Sequence, residues 1–279
     1  MRAYELGQYE KSMPNTLTWR EKLQLCREFG FDYLEMSVDE SDEKLARLQY
    51  TKEEREAIVR AMEETGVRIH SMCLSGHRKY PLGHPDEHIQ KKALDIMEAA
   101  VQLADDLGIR IIQLAGYDVY YEAGSEQTRK NFVGKTGCGK STLMRILLGF
   151  ETMETPFMDT VEKSMAYVQQ VRSPYLGVYP DMGNLKNASL LYGKNVNEDI
   201  KTGKGHIVAA HLKETIPGHY REIPFGSGHT EFVENIRELK QQGVRMFVGE
   251  FWYTGNSDWQ KVCTHASAFL RDKLDQVFV

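Results

Sequence analysis

Two hydrophobic patterns alternate along the chain. Short runs rich in β-branched and aromatic residues are followed by longer stretches in which apolar positions recur every three to four residues. Eight runs read as strands: AYELGQYE (3–10), FDYLEMSV (31–38), VRIHSMCLS (67–75), IRIIQLAGY (109–117), RILLGFE (145–151), YLGVYPD (175–181), HIVAAHLK (206–213) and RMFVGEFW (245–252). Between them TWREKLQLCREFG, TKEEREAIVRAMEETG, EHIQKKALDIMEAAVQLADDLG, MDTVEKSMAYVQQV, EFVENIRELKQQG and DWQKVCTHASAFLRDKL carry the helical period. Gly30, Gly66, Gly108 and Gly243 close helical stretches just before strands, as a helix C-terminus entering a short turn requires. Repeated βα units in this number predict a closed α/β (β/α)8 TIM barrel. With no low-complexity linker, residues 1–279 are expected to form a single domain.

In such a barrel the chemistry gathers at the C-terminal ends of the strands. Polar residues there are Glu35, His77, Arg78, Gln113, Glu151, Asp181, His211, Lys213 and Glu250. Glu151, Asp181, His211 and Glu250 fall at the ends of strands five to eight in succession, so their side chains are expected to converge. A mixed oxygen and nitrogen set of this kind suits a divalent metal such as Mn, Zn or Mg. Any single acidic residue at such a position serves equally well as the cap of the helix that follows.

Composition narrows the partners. Against 35 basic residues stand 40 acidic ones, a net charge of −5, with no basic block to follow a nucleic-acid backbone. No stretch approaches the ~20 consecutive apolar residues of a membrane span. A cytoplasmic protein with no nucleic-acid or membrane partner is expected. Cys26, Cys73, Cys138 and Cys263 are scattered without a C-x-x-C pair, which argues against a disulfide framework or a cysteine-based zinc site.

The stretches GQYEKSMP, LEMSVDE, SMCLSGHRKYPLG, GIRIIQLAGYDVYY, YPDMGNL, GHIVAAHLKET and IPFGSG, spread nearly end to end, carry a resemblance. The chain resembles the L-ribulose-5-phosphate (equally L-xylulose-5-phosphate) 3-epimerases of bacterial ascorbate and pentose use, within the xylose-isomerase-like barrels. The resemblance implies a metal held by Glu151, Asp181, His211 and Glu250. It also implies a cytoplasmic enzyme acting on a small sugar phosphate; a homodimer is common among similar barrels.

Inverting the carbon beside a ketone requires taking its proton, holding an enediolate and returning a proton to the opposite face. Glu151 and Glu250 are the expected catalytic pair, one acting as base and the other as acid. Asp181 and His211 are expected mainly as ligands. The phosphate needs cations at the barrel mouth, for which His77, Arg78, Lys79, Lys213 and Arg221 qualify by charge and location, as they do for ordinary solvated surface residues. Gly226 and Gly228 would allow close backbone approach or form a plain turn. Tyr117, Tyr120, Tyr121, Phe251 and Trp252 would wall the pocket or pack its rim.

One motif points elsewhere. GKTGCGKST (134–142) fits the phosphate-loop pattern at every fixed position, with Lys140 and Ser141 in the places that meet phosphate and Mg²⁺. A working loop leaves a buried strand, yet only Phe132 and Val133 are apolar upstream, and EQTRKNFV reads as the start of the helix after strand four. No nucleotide-binding role is therefore expected for 134–141. The segment 134–150 departs from the epimerase pattern, and three glycines within it, each costing ~1 kcal/mol relative to Ala in a helix, predict a weak, shortened or broken fourth helix. A barrel whose catalysis this segment impairs is the alternative, and a phosphate-loop ATP-binding protein a more distant one.

Overall fold

The computed structural model describes residues 2–136 and 139–278, the side chains at 140 and 142 excepted. Eight parallel strands form one sheet: β1 (Glu5–Tyr9), β2 (Tyr33–Val38), β3 (Arg68–Leu74), β4 (Ile111–Ala115), β5 (Leu147–Glu151), β6 (Leu176–Tyr179), β7 (Ala210–Leu212) and β8 (Met246–Gly249). The ladder runs β6-β5-β4-β3-β2-β1-β8-β7. Its two ends meet through isolated parallel bridges, Val178 with Ile207 and Asp181 with His211. The seam that closes the barrel therefore passes through two of the predicted metal ligands.

All eight expected strands are present. The expected β7 is shortened to three residues because 207 and 208 touch β6 only through one bridge, where the Val208 N–H donates to Val178 O at 3.0 Å. All six expected helices form as well. Glu87–Leu107 buries Ala93, Ile96, Met97, Ala100, Val101, Ala104 and Leu107, one continuous apolar stripe against the barrel. Thr18 with Glu21 and Thr51 with Glu54 make capping boxes at the starts of helices Trp19–Glu28 and Lys52–Thr65. The four glycines expected at helix ends all have φ of 70–90°.

Helices Asp42–Ala46, Met182–Tyr192 and Val196–Lys201 had no clear signal in the pattern. Met182–Tyr192 buries Asn184 and Asn187 beside Met182 and Leu185 while Leu190 and Leu191 stay exposed, so its polar and apolar positions do not segregate.

After β4 the chain forms helix Glu126–Thr136, then a six-residue helix, Gly139–Met144, and Arg145 turns it with φ 57° into β5. The residues immediately before 137 are thus helical, whereas a phosphate loop would leave a strand. Gly137, Cys138 and the Lys140 side chain, which carry that motif, lie outside the described residues. Gly149, a poor strand former, sits within β5 because there is no room for more: a Cβ there would lie 2.7 Å from Val208 Cγ2.

Candidate active site

β5 ends on Glu151, β8 is followed directly by Glu250, and His211 is the central residue of β7. Asp181 stands two residues past β6, where the bridge to His211 holds it. One ligand atom from each of the four lies within 4.8 Å of the other three, and all four side chains are buried. Asp181 combines both expected readings. Its Oδ1 accepts the Asn184 N–H at 2.7 Å, capping helix Met182–Tyr192, while Oδ2 is buried and accepts no hydrogen bond. Glu250 Oε2 is likewise buried without a hydrogen bond. These two carboxylate oxygens, ion-paired with Lys213 Nζ at 3.3 and 3.1 Å, converge with a histidine nitrogen in a donor set that fits a metal ion.

A second set of polar residues orients the first. His211 Nδ1 lies 2.8 Å from Glu151 Oε1, while Nε2 meets Glu35 Oε1 at 2.7 Å. The other oxygen of Glu35 accepts from Ser71 Oγ at 2.6 Å and from Tyr179 OH at 3.0 Å. Gln113 Nε2 donates to Glu151 Oε2. Glu35 and Gln113 project from strands into the barrel and hold the functional side chains from below.

Three carboxylates packed together share a strongly negative field. Burial pushes Asp181 up to about 8, with Glu250 and Glu151 adding to the rise against Lys213. Burial, then Glu250, also raises Glu151. For Glu250 burial acts upward too, but Lys213 and His211 outweigh it and hold the carboxyl down to about 2. Burial opposes a charge on His211, yet Glu35, Glu250 and Glu151 raise it well above the ordinary histidine range. A divalent cation in their midst would favour the ionised forms of Asp181 and Glu151.

Two of the candidate ligands, Glu151 and Glu250, line a cavity together with Tyr9, Lys11, Cys73, Ser75, Arg78, Tyr117, Met153, Glu154, Lys213, Arg221 and Trp252. Four predicted site residues, Glu151, Glu250, Arg78 and Arg221, meet around it. Arg221 Nη2 bonds Glu154 at 2.8 Å, and Arg78 bonds Tyr117 OH at 3.2 Å with its guanidinium 4.7 Å from the Tyr120 ring. Lys213, predicted as a phosphate contact, also borders the cavity but points its ammonium at Glu250 (3.1 Å) and Asp181 (3.3 Å). His77 is not brought to this cavity: it is buried, bonded to Ala93 O at 3.0 Å, and burial lowers it to about 4, a neutral ring at physiological pH. Gly226 and Gly228 fold around Glu214 instead, whose Oε2 accepts the Gly226 N–H. Lys11 and Glu154, two and three residues past the ends of β1 and β5, were missed although they stand as near a strand end as Arg78 does.

A sheet closed in this order, with acidic and histidine side chains at the C-terminal strand ends, defines a TIM barrel with a candidate metal site. The chain belongs to the xylose isomerase-like TIM barrels, whose family model matches residues 23–273. It is 44% identical over 242 residues to the L-ribulose-5-phosphate 3-epimerase UlaE of Escherichia coli O139:H28, covering 85% of this chain and 83% of that protein. The same identity and coverage relate it to the L-ribulose-5-phosphate 3-epimerase UlaE of Shigella boydii serotype 18. Among solved structures, the fold is similar to a D-allulose 3-epimerase from Methylomonas sp., with TM-score 0.80, 17% identity and coverage of 98% and 99% of the two chains. An L-ribulose 3-epimerase structure matches at TM-score 0.77 and 15% identity, covering 98% of this chain and 95% of that one.

Proposed function

We propose that this protein is a metal-dependent 3-epimerase that interconverts L-ribulose 5-phosphate and L-xylulose 5-phosphate. The observation that carries the reading is the convergence of Glu151, Asp181, His211 and Glu250 within 4.8 Å, with Glu151 and Glu250 lining a cavity. The activity for which the relatives are named and the resemblance read from the sequence support the choice of substrate.

Glu151, Asp181, His211 and Glu250 would hold the divalent ion, Mn, Zn or Mg. When bound, it supplies Lewis-acid stabilisation of negative charge developing on the substrate oxygens. Glu151 and Glu250, entering from different strands, are the proton carriers. One removes the C3 proton, the C3–H electron pair passes into an enediolate, and the other returns a proton to the opposite face. Lys213 keeps Glu250 ionised, and Gln113 and His211 fix the direction of Glu151. Tyr9, Tyr117 and Trp252 wall the cavity. Arg78 and Arg221, at the cavity wall, are the cations placed to meet a phosphoryl group. The enzyme would work in the cytoplasm on the product of ascorbate or pentose breakdown, as a homodimer.

The test is direct incubation of metal-loaded protein with L-xylulose 5-phosphate. L-Ribulose 5-phosphate must accumulate, and no interconversion with a full metal complement would remove the assignment. The helical residues before 137 favour no nucleotide reading; calorimetry with ATP should give no binding heat.

A further inference from the structure

Outside the site, the described residues bury one other ionic cluster of unusual charge. Glu10 follows Tyr9, the last residue of β1, and its side chain is fully buried. Oε1 accepts from Lys22 Nζ (2.6 Å), Lys44 Nζ (2.7 Å) and Arg47 Nη2 (2.8 Å). Oε2 accepts from Arg47 Nη1 (2.6 Å) and from the Ser37 N–H of β2 (2.8 Å). Arg47 Nη1 also bonds Ser37 O at 3.0 Å. One carboxylate thus gathers three cations, all nearly inaccessible to water, from helices Trp19–Glu28 and Asp42–Ala46 and the turn Arg47–Gln49.

Buried ion pairs are seldom more stabilising than apolar packing of the same volume. Their distinctive property is directional: five donors fix where one carboxylate sits. Glu10 and Lys11 open a single 3-10 turn, Glu10–Ser12, directly after β1. Glu10 points outward to the helices, while Tyr9 and Lys11 on either side of it both line the cavity above Glu151 and Glu250. The same three-residue stretch is tied to neighbouring strand ends. Lys11 Nζ pairs with Asp39 at 2.5 Å, just past β2, and its carbonyl accepts the Tyr253 N–H at 2.8 Å, just past β8. Tyr9 packs edge-on against Trp252, with ring centroids 6.1 Å apart.

We propose that Glu10, clamped by Lys22, Lys44 and Arg47, is a positioning residue that fixes Tyr9 and Lys11 in the substrate cavity. It touches no reacting atom and acts through its two neighbours. This rests on the epimerase reading for the substrate.

The informative substitution is Glu10→Asp, which retains the charge but withdraws the carboxylate by one methylene. Glu10→Gln is its companion, although three buried cations without a counter-charge threaten folding. Two readouts are taken on Glu10→Asp with metal content and melting temperature measured alongside. Amide hydrogen exchange over residues 8–14, which needs no turnover, should accelerate on the order of tenfold as the turn loosens. KM for L-xylulose 5-phosphate should rise on the order of tenfold or more, with bound metal unchanged and kcat within about twofold. Faster exchange with unchanged KM would overturn the positioning role, and unchanged exchange would overturn the clamp itself. If the wild-type protein fails to epimerise, the epimerase reading falls on its own, and the exchange result alone decides whether Glu10 holds the turn.

Discussion

Nε2 of His211 lies 2.7 Å from Oε1 of Glu35, so the ring is fixed from below while Nδ1 faces Glu151, Asp181 and Glu250. Glu35 in turn spends its second oxygen on Ser71 and Tyr179. The chain of contacts sets both the orientation and the tautomer of a candidate ligand without Glu35 entering the site. Glu35→Gln should therefore leave the fold intact and weaken metal retention by roughly 10–100-fold, as loss of an outer partner does elsewhere. Titration of the apoprotein with Mn²⁺ against a competing chelator measures it; wild-type affinity would show that the ring needs no such support.

Asp181 differs from the other candidate ligands because it also caps helix Met182–Tyr192. Asp181→Asn keeps the capping oxygen and should lose the metal while retaining stability within about 1 kcal/mol, whereas Asp181→Ala loses both. His211→Ala should release the metal as well. Metal analysis after dialysis, paired with thermal melting, separates the two roles, and full occupancy in any of these variants would remove that residue from the metal site.

His77 makes a pH prediction. Its folded-state value, about 4, lies below the ordinary ~6.5 of an unfolded chain. At pH values between the two, the unfolded state takes a proton that the folded state refuses, so stability falls as pH drops from about 6.5 to 4. The contribution is of order 3 kcal/mol at most. Denaturant unfolding of wild type and His77→Gln should show the wild-type curve falling more steeply across this interval; parallel curves would contradict a neutral, buried His77.

Arg221 stands at the cavity wall with its guanidinium on Glu154. Removing a charged contact to a phosphoryl group costs roughly 1.5–3 kcal/mol, or about 10–100-fold in affinity. Arg221→Ala should raise KM for L-xylulose 5-phosphate by that factor and change KM for unphosphorylated L-xylulose much less. An equal effect on both would assign Arg221 to the sugar rather than the phosphate.

The barrel was legible because period-2 and period-3.6 patterns alternate cleanly and a strand end is a local event: Glu151 falls where its apolar run stops, and Glu250 is the acidic residue near the end of RMFVGEFW. Asp181 and His211 needed the closure of the barrel to become neighbours, yet the rule that chemistry collects at strand ends sufficed to nominate them. Residues that act from within the barrel were harder to assign. Glu35 and Gln113 were visible as polar residues on strands, but only the three-dimensional register shows that they bond His211 and Glu151. His77 shows the limit of locating cations by proximity to a strand end, since one turn of chain carries it under helix Glu87–Leu107 instead of into the cavity. Glu10 and its three cations were not legible at all. They are separated by 12 to 37 positions in the chain, and each is charged, which by pattern alone reads as solvent-exposed.

GKTGCGKST was the most specific string in the chain and the least informative about the fold around it. The helix Glu126–Thr136 precedes its centre, and β5 follows it in register with β4 and β6, so Glu151 keeps its place at the strand end. Gly149, within the same segment, is required by the close approach of Val208. An amphipathic sequence replacing 134–146 should therefore stabilise the barrel without moving Glu151.

The central claim is that Glu151 and Glu250 exchange the C3 proton of a pentulose phosphate. The most direct measurement is proton NMR of L-xylulose 5-phosphate incubated in D₂O with the Mn²⁺- or Zn²⁺-loaded protein. Deuterium should enter at C3 as L-ribulose 5-phosphate forms, and both signals of turnover should be lost in Glu151→Gln and Glu250→Gln proteins that still melt as folded barrels. Retention of the C3 proton by substrate exposed to metal-loaded wild-type protein would contradict it.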